Sequence, residues 1–240
     1  MIIYGRNTVI EALNSSHNCE ELFLQADIHE DTKINTLKSL AAKHNIPTRN
    51  ISLKELKKLA NSDETQGVAV KVTFHEAALK DVLPNSSKAF IYISDATYEH
   101  NVGAIIRTAE CAGFAGVIIP SDIKITATIA KISTGAIFNI PIIRSPVFNT
   151  IKAFKENGYF VFGIERGGDN IFETSTPINS LFIIGSEDKG LSAPIIEKCD
   201  GLLEIPQFGK VNSLNMSVAS AIVIYNYLRE NFKEIKSNGQ

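Results

Sequence analysis

From Ala89 onward, short runs of β-branched and aromatic residues alternate with segments of helical periodicity, and few architectures accommodate that alternation. The strand-like runs cover 90–94, 116–119, 139–143, 159–164, 181–184 and 202–205. The helical segments cover 102–111, 126–132, 148–156, 193–198 and a long final stretch, 214–231. The strands are apolar nearly throughout instead of alternating with polar residues, so both of their faces are expected to be buried. That pattern belongs to a Rossmann-like parallel sheet covered by helices on each side. In such sheets ligands sit beyond the carboxyl ends of the strands, which directs attention to the loops leaving 94, 184 and 205.

Residues 1–75 read as a separate small α/β domain. A helix is expected over 4–13 and a short strand over 21–25. A second amphipathic helix covers 32–44, followed by an extended segment at 46–48. Ser52 and Glu55 have the spacing of a capping box and open a helix through Leu59; 67–72 is a further strand. The polar stretch 76–88, with Leu83-Pro84-Asn85-Ser86-Ser87 as its most turn-rich part, is the expected linker to a catalytic domain over 89–240.

Composition narrows the class. The 240 residues are 44% hydrophobic and 21% charged, ordinary for a globular chain. No apolar run approaches the roughly 18 residues of a membrane span, and no signal-peptide core follows Met1, so a cytoplasmic protein without a membrane partner is expected. The 3 cysteines form no C-x-x-C pair, and neither a disulfide framework nor a metal centre is expected. The 24 basic and 26 acidic residues leave a net charge of −2, which argues against a general polyanion binder.

Three polar clusters fall at the predicted strand ends. The first runs from Asp95 to Arg107; on a helix starting near Asn101, with Asn101 as its N-cap, Gly103 and Arg107 share a face while Ile105 and Ile106 turn inward. The second is Gly185-Ser186-Glu187-Asp188-Lys189-Gly190-Leu191. Its two glycines have P-loop spacing, but Leu191 stands where the phosphate-binding lysine belongs, so nucleotide hydrolysis is disfavoured. The third is a glycine-bearing lead-in, Ile205 to Asn215, in which Ser213 or Asn212 could cap the final helix. Read singly, the first cluster is compatible with a plain cap and a surface cation and the second with a plain β-to-α turn, whereas capping explains only one residue of the third lead-in.

In this order the clusters resemble the three signature motifs of the SpoU/TrmH family of RNA ribose 2′-O-methyltransferases. Asn101-Val102-Gly103-Ala104-Ile105-Ile106-Arg107 is similar to the first, Ile184-Gly185-Ser186-Glu187 with Gly190-Leu191 to the second, and Ile205-Pro206 with Gly209 and Ser213-Leu214-Asn215-Met216-Ser217 to the third. Residues 1–75, with Tyr4-Gly5-Arg6-Asn7 and Gln66-Gly67-Val68, resemble the family's substrate-binding domain. The resemblance implies a C-terminal trefoil knot, a homodimer, and S-adenosylmethionine held by Gly163, Ile164, Gly185, Ile205 and Leu214. It also implies a catalytic set of Arg107, Asn101, Glu187, Ser213 and Asn215, with Arg107 at its centre. The partner would be RNA and not DNA. A guanosine of 23S ribosomal RNA is the expected target, with transfer RNA, or a non-catalytic RNA-binding role, as the alternatives. Tyr98-Glu99-His100 and Asp188-Lys189 depart from the family pattern in loops that bear on target choice. With a balanced total charge, RNA recognition would rest on local cations such as Arg6, Arg49, Arg107, Arg144 and Lys210, and non-specific binding would fade at modest salt.

Overall fold

The structure, a computed structural model, describes residues 1–83, 88–94, 97–186, 189–211 and 213–237. It divides into two compact units: residues 1–75 with 124–139, and residues 76–123 with 140–240. The segment 124–139 thus packs with the first unit although it lies far along the chain.

The first unit is built on a four-stranded sheet in the order β1–β4–β2–β3, formed by β1 (Ile2–Tyr4), β2 (Asn18–Gln25), β3 (Thr48–Ile51) and β4 (Val68–Thr73). β4 is antiparallel to both β1 and β2, and β3 runs parallel to β2 at the edge. The helix expected over 4–13 is interrupted at its start. Ile2–Tyr4 pairs with Ala69–Lys71, Gly5 turns the chain at φ +91°, and α1 covers Arg6–Asn14. Tyr4 is drawn into a core with Phe23, Ile51, Leu56 and Ala69, which outweighs local helical spacing. α2 (Thr32–Lys43) is capped by Asp31, whose carboxylate accepts the Ile34 N–H at 3.0 Å. α3 (Leu53–Ala60) opens with the expected capping box: Ser52 Oγ accepts the Glu55 N–H, and Glu55 Oε2 accepts the Ser52 N–H. The extended segment expected at 46–48 lies instead at Thr48–Ile51. As an edge strand only Ile51 is buried, so no apolar pattern marks it.

Within this unit His17 stacks on Phe74 at 4.7 Å and lies edge-on to Phe138 at 5.4 Å, and its Nδ1 accepts the His75 N–H at 3.1 Å. Burial, and secondarily the neighbouring His75, hold the His17 imidazole below the usual value of 6.5. The folded state therefore binds fewer protons than the unfolded chain just below pH 6.5. Stability from this site is fully present above that value and declines as pH falls toward the depressed folded value. Urea denaturation between pH 7.5 and 5.5 should show a falling midpoint, and His17→Gln should flatten that dependence. An equal fall in the variant would remove His17 as its cause.

The second unit contains a six-stranded sheet in the order β10–β8–β9–β5–β6–β7, every neighbouring pair parallel. In chain order it comprises α4 (Leu79–Val82), β5 (Phe90–Ile93), α5 (Glu99–Cys111), β6 (Gly116–Ile119), β7 (Ile142–Arg144), α7 (Val147–Glu156), β8 (Phe160–Asn170), β9 (Ser180–Ile184), α8 (Ala193–Ile196), β10 (Gly201–Glu204) and α9 (Met216–Ser237); α6 (Ala127–Ile132) falls in the excursion to the first unit. All residues of β5, β6 and β9 are buried, as continuous apolar runs require. Phe90, Phe154 and Tyr159 form one edge-to-face aromatic cluster within the core, with centroids 4.9–5.8 Å apart. Tyr227 of α9 accepts the Ala89 N–H at 3.2 Å and donates to the Ile178 carbonyl at 2.8 Å, tying the last helix to the segments preceding β5 and β9.

Three expectations shift. The strand placed at 139–143 begins only at Ile142; Ala136–Phe138 forms a 3₁₀ turn, and Pro141 has no N–H to give to a ladder. The stretch 76–83 is engaged: Ala77 pairs with Ile143, Glu76 binds Arg144, and α4 forms; residues 84–87 of the expected linker lie outside the described residues. β8 outruns 159–164, because its partnership with β10 jumps from Leu202↔Gly163 to Leu203↔Asp169, leaving 165–168 as an excursion after the last pair with β9, Ile164↔Ile184.

Candidate functional site

A cavity of about 520 Å³ opens where the carboxyl ends of β8, β9 and β10 meet the start of α9. Its apolar wall is Ile164, Ile184, Ile205, Leu214 and Met216; its polar wall includes Glu165, Arg166, Lys189, Glu204 and Ser213. Four of the five expected cofactor residues, Ile164, Gly185, Ile205 and Leu214, therefore share one lining. Gly163 does not line it. A Cβ there would lie 2.8 Å from Leu191 and 2.9 Å from Leu202, so the glycine lets those side chains pack behind the cavity. Gly185 is required more strictly: a Cβ would fall on the backbone of Gly190 and 2.7 Å from the Leu191 nitrogen. Ser186 and Gly190 exchange backbone hydrogen bonds of 3.1 and 3.0 Å, which brings the strand end back on itself at this point.

The first cluster sits differently from its expectation. α5 begins at Glu99 with Tyr98 as N-cap, so Asn101 lies inside the first turn and does not cap. It is 7% exposed, and its Oδ1 accepts the Asn215 Nδ2–H at 3.0 Å. The helix starts earlier because the Tyr98 carbonyl already accepts the Asn101 and Val102 N–H groups. Ile105 and Ile106 are fully buried and Arg107 is exposed, as the spacing required. Arg107 lies six residues beyond Asn101, about 9 Å along the helix, and is not part of the cavity lining.

The cap of α9 is also reassigned. Asn215, not Ser213, accepts the N–H groups of Ser217 at 2.9 Å and Val218 at 3.4 Å, because the helix starts at Met216; Asn212 lies outside the described residues. One Asn215 amide thus holds the helix start with its oxygen and Asn101 with its nitrogen. Ser213 lines the cavity. Glu187 lies outside the described residues, as do Asp188 and Asp95. Of the candidate RNA cations, Arg144 is committed to structure: it binds Glu76 at 2.5 and 2.8 Å and the carbonyls of Pro120, Ser121 and Ile123. Arg6 is paired with Asp31. Arg49, Arg107 and Lys210 are exposed.

Glu165, Arg166 and Glu204 line the cavity although they lie outside the three polar clusters. Their signal was available in principle, since charged residues at the carboxyl ends of parallel strands face the ligand crevice.

The sequence matches the SpoU rRNA Methylase family over residues 88–225, and the family described as RNA 2′-O ribose methyltransferase substrate binding over residues 2–78. The chain belongs to the SpoU methylase family. Among its relatives, a putative TrmH family tRNA/rRNA methyltransferase of Staphylococcus saprophyticus is 36% identical, over 96% of each chain. The fold of this SpoU-family enzyme is shared with the SpoU methyltransferase AviRb of Streptomyces viridochromogenes, crystallised in complex with AdoMet (TM-score 0.83, 21% identity, 97% of this chain and 90% of that one). It is shared too with an AdoMet-bound rRNA methyltransferase of Sinorhizobium meliloti (TM-score 0.82, 21% identity, 95% and 86% covered). No helix among the described residues is long and apolar enough to cross a membrane, and no cluster of metal-binding side chains occurs among them.

Proposed function

We propose that this SpoU-family protein transfers a methyl group from S-adenosylmethionine to the 2′-hydroxyl of a guanosine ribose in 23S ribosomal RNA, acting in the cytoplasm as a homodimer with a knotted C-terminal region. The observation that carries the reading is the cavity at the ends of β8, β9 and β10, in which Ile164, Gly185, Ile205 and Leu214 converge. Its volume lies in the usual range of about 300–1,000 Å³ for small-molecule sites. The residues suit the donor. The aliphatic wall takes an adenine face, Gly185 admits the ligand to the backbone, and Glu204 with the cations Arg166 and Lys189 matches a zwitterionic amino-acid tail.

When bound, the donor supplies an activated methyl group on a sulfonium. The chain must then do two things: stabilise charge on the attacking oxygen and remove its proton. The Arg107 guanidinium offers N–H donors and no acceptor, so its role is to stabilise the developing alkoxide and hold the adjacent phosphate. Asn101, fixed by Asn215, and Ser213 at the cavity rim orient the ribose, with Glu187 sharing in orientation or proton relay. Support for the dimer comes from α9, where Val218, Tyr225 and Phe232 are 48%, 50% and 55% exposed at seven-residue spacing, one apolar face left open to solvent.

The test is to map ribose methylation in ribosomal and transfer RNA after deletion of the gene, alongside calorimetric titration of the purified protein with S-adenosylmethionine. Loss of a methyl group from one 23S guanosine is expected. Loss from a transfer RNA would move the target, and absence of donor binding, with and without RNA, would overturn the enzymatic reading.

A further inference from the structure

Glu165 lies outside all three motifs, in the excursion of β8 between its two paired stretches. Its carboxylate reaches across to the end of β9. Oε2 accepts the Leu191 N–H at 2.6 Å, while Oε1 accepts the Arg166 N–H at 3.1 Å. Leu191 follows Gly190, which adopts φ +61° and whose Cβ, were there one, would fall on the same carboxylate. The segment leaving β9 is therefore held at two points, by the Ser186–Gly190 backbone pair and by Glu165 on the outgoing side. Beyond that anchor the Leu191 side chain is 6% exposed, buried over Gly163. Glu165, Gly185 and Gly190 all line the cavity, so the position of one carboxylate fixes where part of its wall stands.

Charge is the weaker explanation for an acid at this place. Glu165 and Glu204 are matched in the lining by Arg166 and Lys189, which leaves little net field on a bound cation. The Leu191 N–H, by contrast, needs an acceptor, and a backbone donor deprived of one at a half-buried wall is costly.

We infer that Glu165 is a positioning residue for the donor site: it holds the segment after β9 in place through the Leu191 N–H, and it acts as a hydrogen-bond acceptor and not as a charge. This rests on the cavity being the donor site. The comparison is between Glu165→Gln, which keeps one acceptor oxygen for the Leu191 N–H and leaves the exposed Arg166 N–H to water, and Glu165→Ala, which removes both acceptors, each in the full chain. Three readouts apply: hydrogen exchange at the Leu191 amide without ligand, calorimetric affinity for S-adenosylmethionine and for its demethylated thioether product, and the KM for RNA. In Glu165→Ala the Leu191 amide should lose protection, and both ligands should weaken about tenfold and equally, with the KM for RNA unchanged. In Glu165→Gln protection and both affinities should stay within about twofold of the parent. A Gln variant that loses the sulfonium donor but keeps the thioether would overturn the inference, because charge would then be acting. Undiminished Leu191 protection in the Ala variant would overturn it as well. If the parent protein binds neither ligand, it is the proposed function that fails, and the exchange comparison still decides whether Glu165 holds the segment.

Discussion

Replacing Arg107 with alanine should lower methyl transfer to RNA at least a hundredfold while leaving the affinity for S-adenosylmethionine within about twofold. The two halves of this outcome have separate causes. Arg107 is exposed on α5 and absent from the cavity lining, so its removal takes nothing from the wall of the proposed donor site. A positioned cationic donor aimed at developing negative charge is commonly worth about 10²–10³ in rate. Alanine is the strongest helix former, so α5 should persist, and Asn101 with its bond to Asn215 should stay where it is. Arg107→Lys should recover only part of the rate, because a point charge does not reproduce the two-pronged geometry of a guanidinium on a phosphate. Single-turnover transfer of a labelled methyl group, paired with calorimetry on the same preparations, measures both halves. A normal rate in Arg107→Ala would remove Arg107 from the catalytic set, whereas a matching loss of donor affinity would make it a cofactor residue.

The second large effect is expected at Gly185. A methyl group there would meet the Gly190 backbone and come within 2.7 Å of the Leu191 nitrogen, and these are main-chain atoms that cannot swing aside. The Ser186–Gly190 hydrogen bonds and the Glu165 contact to Leu191 would be pushed apart together. Gly185→Ala should therefore weaken donor binding by at least a hundredfold. The core of the unit should survive, because β9 itself, Ser180–Ile184, is paired on both sides by β5 and β8. A thermal melt within a few degrees of the parent, together with lost calorimetric binding, is the expected pair of results. Retained affinity would show that the segment after β9 can relax, and would remove Gly185 as a constraint on the site.

These two residues also show how far the linear chain could be read. Strand-end burial located the polar clusters that hold Arg107 and Gly185, and the resemblance of those clusters to the family's motifs singled out the two residues. The same burial logic located β5, β6 and β9 to within a residue. Burial read locally failed where a segment is hardly buried or where its burial comes from distant partners. β3 pairs at a sheet edge with only Ile51 buried, and Tyr4 belongs to a strand because its ring enters a core shared with Phe23 and Leu56. The start of α5 and the cap of α9 were each displaced by two or more residues, since several nearby polar side chains could serve and spacing does not choose among them.

Periodicity along the chain was enough for the parallel sheet and its strand ends, and the resemblance of the motifs for four of the five expected cofactor residues that share one cavity lining. The grouping of 124–139 with the first unit, the Asn101–Asn215 bond across 114 positions, the commitment of Arg144 to Glu76 and three carbonyls, and the reach of Glu165 to Leu191 emerged only on folding. Hydrophobic spacing reports how each segment meets its own solvent boundary. Which polar groups satisfy one another depends on the register jump in β8 and on where distant segments arrive, and that is set by packing of the whole unit.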